Sequence, residues 1–279
     1  MENVLLFLGL AVFVYGLILL FSEKIILPSP GSLFLVLSLT LLSYAIRAER
    51  WRKLLERNGL KLSFGEALKT YIAGLAFIIT PGKLGEVAKA QLMKERFGFP
   101  RKKGVFLTVV ERAFDILANL LIASSLGIAV ASSYLKSFLS LLLLLSIFFA
   151  ILYLFRKRLR AVEEEISSLG DPLFILYTVL LSLIAWTVEG LEVLLLVWNF
   201  GKSISVIQAV FAFSASLILG NLSMLPGGLG GTEACLIAFL TLYGIEQAAA
   251  GSVTIAVRLA TFWFGFALGS LLWFLLSKE

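Results

Sequence analysis

The amino-acid sequence predicts an all-α integral membrane protein with six spanning helices plus two re-entrant helical hairpins in an inverted-topology repeat. Three observations carry this. Hydrophobic residues make up 59% of the chain and charged residues 15%, with a mean hydropathy of +0.98, whereas a soluble domain carries about 25% charge. Lys and Arg gather in a few connections between apolar segments. Two breaks in the hydrophobic pattern look like copies of one another: Thr80-Pro81-Gly82-Lys83-Leu84-Gly85-Glu86 and Leu225-Pro226-Gly227-Gly228-Leu229-Gly230-Gly231-Thr232-Glu233. An arginine within an apolar segment follows each, Arg112 at 31 residues after Pro81 and Arg258 at 32 after Pro226. Paired Gly/Pro interruptions in two halves point to a transporter's central site.

Residues 3–22 follow Glu2 rather than basic residues and precede no small-residue cleavage site, so they read as a permanent helix, not a signal peptide. Residues 31–47 return, delivering Arg47, Arg50, Arg52, Lys53, Arg57 and Lys61 to the cytoplasm by the positive-inside rule. Residues 64–97 begin in that cluster and end in another, Lys94, Arg96, Arg101, Lys102 and Lys103. They therefore enter, turn at Pro81-Gly82 and leave on the same side; a single crossing would invert every later loop. Helices at about 104–133, 136–155 and 172–199 cross outward, inward and outward, with Arg156, Lys157, Arg158 and Arg160 landing inside. Residues 203–245 turn at Pro226-Gly227 and return outside, and 247–277 brings Lys278 to the cytoplasm. The opposite connections carry only Lys24, Lys136 and Lys202. The expectation is a single transmembrane domain over 1–279, with repeat cores at about 64–133 and 203–277 and both termini on the cytoplasmic side of the cell membrane.

The same residues argue against several function classes. One cysteine, Cys235, leaves no internal disulfide, and zero histidines removes the commonest metal ligand and proton relay. No GxxxxGK[ST] motif and no nucleophile–base set occur. The expectation is no enzyme, no catalytic residue, no metal and no cofactor. The net charge of +6 lies between apolar segments, so it reads as membrane topology rather than nucleic-acid binding.

Irregular backbone at membrane depth must be packed inside protein or line a watery cavity, so both Pro-Gly turns should be internal. Helices starting after them would aim unpaired amides at the mid-membrane, a ready anion site, with Gly82, Gly85, Gly227, Gly228 and Gly230 allowing close backbone approach. Arg112 lies eight residues from Gly104, or ~12 Å along a helix, near the middle of the bilayer. An arginine there is partnered or functional. Two readings stand: contact with a phosphate or carboxylate, or neutralisation by Asp115, which shares a helix face with Glu111. Glu86 and Glu233 are first-turn residues or ligand and proton groups in equal measure. Lys83 and Lys89 line or snorkel to a cytoplasmic entrance. Glu189 and Glu192 sit three apart near the outer end of their helix, where hydration accounts for them, with an inward functional face as the secondary reading. Arg47, Arg50 and Arg52 beside Trp51 read first as an interfacial anchor and second as a site of lipid-headgroup capture, and Glu163-Glu164-Glu165 as a solvated helix face.

These residues resemble a known family, the transmembrane flippase-like domain of lysylphosphatidylglycerol synthases and their stand-alone relatives without the aminoacyltransferase domain. The resemblance covers most of the chain. It rests on Arg47-x-x-Arg50-Trp51, Tyr71 with Gly74, Pro81-Gly82-x-x-Gly85-Glu86, Glu111-Arg112-x-x-Asp115, Pro226-Gly227-Gly228-Leu229-Gly230 with Glu233, and Arg258. Lys89 stands where many relatives have arginine. The resemblance implies movement of a phospholipid, glycolipid or polyprenyl-phosphate lipid between leaflets, its headgroup passing through a polar cavity between the inverted halves. A transporter or channel for a small soluble anion, and a non-transporting scaffold, are the rival expectations.

Overall fold

The computed structural model describes residues 12, 14–16, 18, 27–80, 84–130, 171–223 and 225–278. The predicted helices over 3–22 and 136–155 fall largely or wholly outside the described residues, as do Pro81, Gly82, Lys83, the third basic cluster and Glu163-Glu164-Glu165. Among the described residues all regular structure is helical.

α1 (Pro30–Arg57) starts where Ser29 caps it, its hydroxyl accepting from Ser32 N–H at 3.3 Å, with Pro30 in the first turn where its missing donor costs nothing. α2 (Phe64–Gly74) and α6 (Val206–Leu222) open with the same device. Ser63 with Glu66, and Ser205 with Gln208, form reciprocal capping boxes that satisfy two otherwise orphaned amides each. The two predicted hairpins thus start with one local signature. α2 runs through a 3-10 turn (Leu75–Phe77) toward the first break, and a second 3-10 segment (Leu84–Ala88) leads into α3 (Lys89–Phe97). After α6 the chain turns through Pro226 to Gly230 into α7 (Gly231–Leu242).

α4 (Arg101–Val130) and α5 (Pro172–Asn199) are the long central helices, and α8 (Gln247–Arg258) continues through a π-helical stretch (Leu259–Trp263) into α9 (Phe264–Leu276). α1, α5 and the continuous α8–α9 segment are long and apolar enough to cross a membrane, with mean hydropathies of 1.6, 2.0 and 1.9 in their best windows. α1 lies along α5 and against α2; α4 packs on α3, α5 and α6; α6 and α7 pack on one another; α9 covers α2. One apolar core gathers Val193, Phe213, Leu236 and Val253. A second gathers Trp51, Leu54, Tyr71 and Leu107. Leu33, Phe34, Leu173, Leu176, Leu271 and Phe274 are exposed, while Arg50, Lys89, Glu111 and Glu192 are fully buried. That is the distribution expected of a chain whose solvent is hydrocarbon.

Two boundaries differ from expectation. α1 does not stop at 47 but runs on to Arg57, with Arg47 and Arg50 buried against acidic residues of other helices along the way. The last helix is interrupted after Arg258 by the π stretch, and Tyr44 donates to the Thr261 carbonyl there at 2.6 Å. π-bulges of this kind gather at functional positions.

Candidate functional site

Asp115, on α4, is where three helices meet. Its Oδ1 accepts from Arg50 Nη1 of α1 at 2.6 Å and from Trp186 Nε1 of α5 at 3.1 Å, and its Oδ2 lies 3.0 Å from Arg112 Nη2 one turn back. Arg50 also donates to Ser182 Oγ at 2.6 Å and lies 3.5 Å from Glu111. Glu111 in turn pairs with Lys89, whose ammonium sits 4.0 Å from the Trp51 ring centre. Charges at this depth persist only when paired, since each carries a desolvation cost of several kcal/mol.

Arg112 Nη1 lies 3.2 Å from Glu86 Oε1, in the 3-10 segment after the first break. Arg258 Nε lies 2.6 Å from Glu233 Oε1, after the second break, and its Nη2 donates to the Gly227 carbonyl at 3.0 Å. The same pairing recurs in both halves: an arginine of the following helix holds the glutamate just past the turn. Glu233 does both things the sequence left open. Its Oε2 accepts from Gly230 N–H at 2.8 Å, satisfying a helix-start amide, while its Oε1 holds Arg258. Trp263 Nε1 donates to Tyr15 Oη at 2.8 Å, and that hydroxyl is 3.5 Å from Glu233.

The turn itself needs glycine. Gly227 and Gly228 have φ of +63° and +68°, and a Cβ on Gly227 would come within 2.3 Å of the Phe262 ring. At the first break, Gly85 N–H donates to Thr80 Oγ1 at 2.6 Å, tying Gly85 back to Thr80.

Between these networks lies a cavity of about 50 Å3, room for a few waters. Arg47, Glu86, Arg112, Glu189 and Arg258 supply its charge, and Tyr44, Tyr71, Trp186, Phe213 and Phe262 its aromatic wall. The segments on either side of the first break and before the second both contribute to it, through Tyr71, Glu86, Phe213 and Leu217. Arg47 pairs with Glu189 at 2.5 Å and stacks 4.1 Å from the Trp186 ring centre, yet among the described residues its Nε and Nη2 find no hydrogen-bond partner. Nor does Arg112 Nε. Its Nη2, though within ion-pair distance of Asp115, is misaligned for a hydrogen bond.

Several expectations are corrected. Arg47, Arg50 and Trp51 are interior residues, not an interfacial anchor; only Arg52 reaches outward, paired with Glu49 at 2.7 Å. Lys89 is fully buried on Glu111 and neither lines nor snorkels to an entrance. Glu189 and Glu192 are buried, bonded to Ser43 at 2.7 Å and Thr40 at 3.0 Å, rather than hydrated. The helix face that carries Thr40, Ser43, Arg47 and Arg50 at i, i+3 and i+4 spacing was the available signal. Asp115 does pair with Arg112, as one of its two readings held.

Residues 4–269 match the family described as the lysylphosphatidylglycerol synthase TM region. Relatives include a UPF0104 membrane protein of Methanocaldococcus jannaschii, 27% identical over 221 residues, which are 72% of this chain and 94% of that protein. One of Pyrococcus horikoshii is 26% identical over 277 residues, 83% of each chain. A UPF0104 membrane protein of Methanothermobacter thermautotrophicus is 28% identical over 118 residues, 40% of this chain and only 35% of that protein. The matched stretch includes both breaks, the two arginine–glutamate pairs that follow them, and Asp115 with its partners; the chain belongs to the family of the lysylphosphatidylglycerol synthase TM region.

Proposed function

We propose that the protein moves an anionic or modified lipid headgroup between bilayer leaflets, through the cavity shared by the two hairpins. The observation that carries this reading is the set of guanidinium N–H groups on Arg47 and Arg112 that line the cavity and make no hydrogen bond. Buried donors are otherwise paired, and planar guanidinium groups suit phosphate and carboxylate oxygens. The partner is a membrane phospholipid, glycolipid or polyprenyl-phosphate lipid, whose acyl chains stay in hydrocarbon. The cavity as it stands has room for only a few waters, so passage of a headgroup requires the halves to part, as in alternating access. Six spans, hairpins re-entering from opposite faces, and cytoplasmic termini in the cell membrane complete the reading. The capping boxes at Ser63 and Ser205 and the repeated arginine–glutamate pairs support an inverted repeat.

The test uses purified protein in liposomes carrying fluorescent headgroup-labelled phospholipids, followed by a membrane-impermeant quencher. Wild type should expose the inner-leaflet pool, and the variant with Arg47→Gln and Arg112→Gln should not, while remaining folded. No movement across phospholipids and polyprenyl phosphates, with phosphate flux instead, would replace this reading with a soluble-anion transporter.

A further inference from the structure

Glu192 stands apart among the buried carboxylates. Glu86, Glu111, Asp115, Glu189 and Glu233 each have a cation within ion-pair distance; among the described residues Glu192 has none, although it is fully buried. An isolated carboxylate in such surroundings neutralises itself by taking a proton. Its polar contact among the described residues is compatible with that. Thr40 Oγ1 lies 3.0 Å from Glu192 Oε1 and 3.1 Å from the Val36 carbonyl. A hydroxyl has one hydrogen, and a carbonyl only accepts. If Thr40 donates to Val36, as threonines in helices commonly do, the contact with Glu192 is a hydrogen bond only when Glu192 supplies the proton. Its Oε2 makes no hydrogen bond.

Glu189 is three residues away on the same helix and lines the cavity. Its charge is held by Arg47 Nη1 and Ser43 Oγ, both on Oε1. The other elements packed on α5 add little. α6 has no ionisable side chain, α8 has only Arg258, already on Glu233, and Asp115 of α4 is held by Arg50 and Arg112. Tyr44 of α1 spends its hydroxyl on Thr261. Among the described residues Arg47 is therefore the one cation holding Glu189, and its Nε and Nη2 are unused, as are those of Arg112.

We propose that Glu189 and Glu192 form a proton-carrying site coupled through Arg47 to the cavity, so that a phosphate-type anion binding there is taken up together with a proton. This rests on the anionic-headgroup reading above and deepens it. At rest Glu192 holds a proton and Glu189 is ionised on Arg47. An anion that engages Arg47 takes over the counter-charge of Glu189, whose carboxylate then forms an O–H bond with a proton taken up from bulk solvent through the cavity, the conjugate base of the donor remaining in bulk. The charge brought in by the anion is offset by the proton, so no net charge is added to the low-dielectric interior.

The experiment is infrared difference spectroscopy on the purified full chain in detergent at neutral pH, with binding followed separately by tryptophan fluorescence. Dioctanoyl phosphatidic acid and inorganic phosphate are the two probes. Wild type should show a protonated carboxylic C=O band at rest, lost in Glu192→Gln and shifted but present in Thr40→Val. The bound probe should add a second band, absent in Glu189→Gln. A response to the lipid but not to inorganic phosphate would assign the anion to a headgroup; the reverse would overturn the lipid reading and leave the proton site standing. Lack of the resting band would overturn the proton on Glu192. Binding without the second band would overturn the coupling alone, and no binding of either probe would overturn it together with the anion reading.

Discussion

Arg50 and Asp115 are 65 residues apart in sequence and 2.6 Å apart in space, an ion pair with the Arg50 side chain fully enclosed. It ties α1 to α4, and Trp186 adds α5 through the same carboxylate oxygen. Arg50 also answers Glu111, so one guanidinium neutralises two acidic residues of α4.

Arg50→Ala is therefore expected to destabilise the protein by about 3–5 kcal/mol, because it strands buried carboxylates. Arg50→Lys should recover only part of this, since an ammonium cannot span Asp115 as a fork. Thermal unfolding in detergent, followed by tryptophan fluorescence, measures both.

Arg258 and Glu233 allow a cleaner separation of stability from function. Arg258→Gln alone should cost about 3–5 kcal/mol by leaving Glu233 unpaired. Adding Glu233→Gln should restore most of the stability, because both charges leave together, without restoring lipid movement in liposomes. A double-mutant cycle on unfolding and transport checks the two arms.

Gly227→Ala should be poorly tolerated for two independent reasons. The left-handed backbone costs ~1–2 kcal/mol for a residue with a Cβ, and that Cβ meets the Phe262 ring at 2.3 Å. Adding Phe262→Leu should relieve the contact but not the backbone term, so rescue in a melting experiment should be partial.

Asp171 gives a pH dependence outside the spanning segments. Its carboxylate caps α5, accepting from Leu173 N–H at 3.0 Å, and pairs with Arg57 at 3.0 Å. The backbone hydrogen bond, followed by the Arg57 contact, holds it below the usual aspartate range. A lowered folded-state value means the stabilisation is present above about pH 4 and is lost as pH falls through the folded value. Melting temperature against pH should fall more steeply in wild type than in Asp171→Asn, which keeps a capping oxygen but does not titrate.

Much of this was legible in the residues. The apolar helices, the two breaks and the importance of Arg112 and Arg258 follow from hydropathy and from Pro-Gly chemistry, both properties of short stretches. The burial and partners of Arg47, Arg50, Lys89, Glu189 and Glu192 are not legible there. A basic residue near a helix end looks alike whether it points to headgroups or to a carboxylate on another helix. Only helix rotation distinguishes the two, and a long hydrophobic segment with a few polar residues constrains rotation weakly.

The sequence by itself determined that this chain lives in a membrane, belongs with the lysylphosphatidylglycerol synthase TM region family, and carries two equivalent interruptions each followed by an arginine. Packing settles which charges neutralise which: Arg50 on Asp115, Lys89 on Glu111, Arg47 on Glu189, and, among the described residues, Glu192 on none. Hydrophobicity is a sum over neighbours in the chain, but an ion pair in a low dielectric depends on separation in space, which is set only when helices distant in sequence pack together.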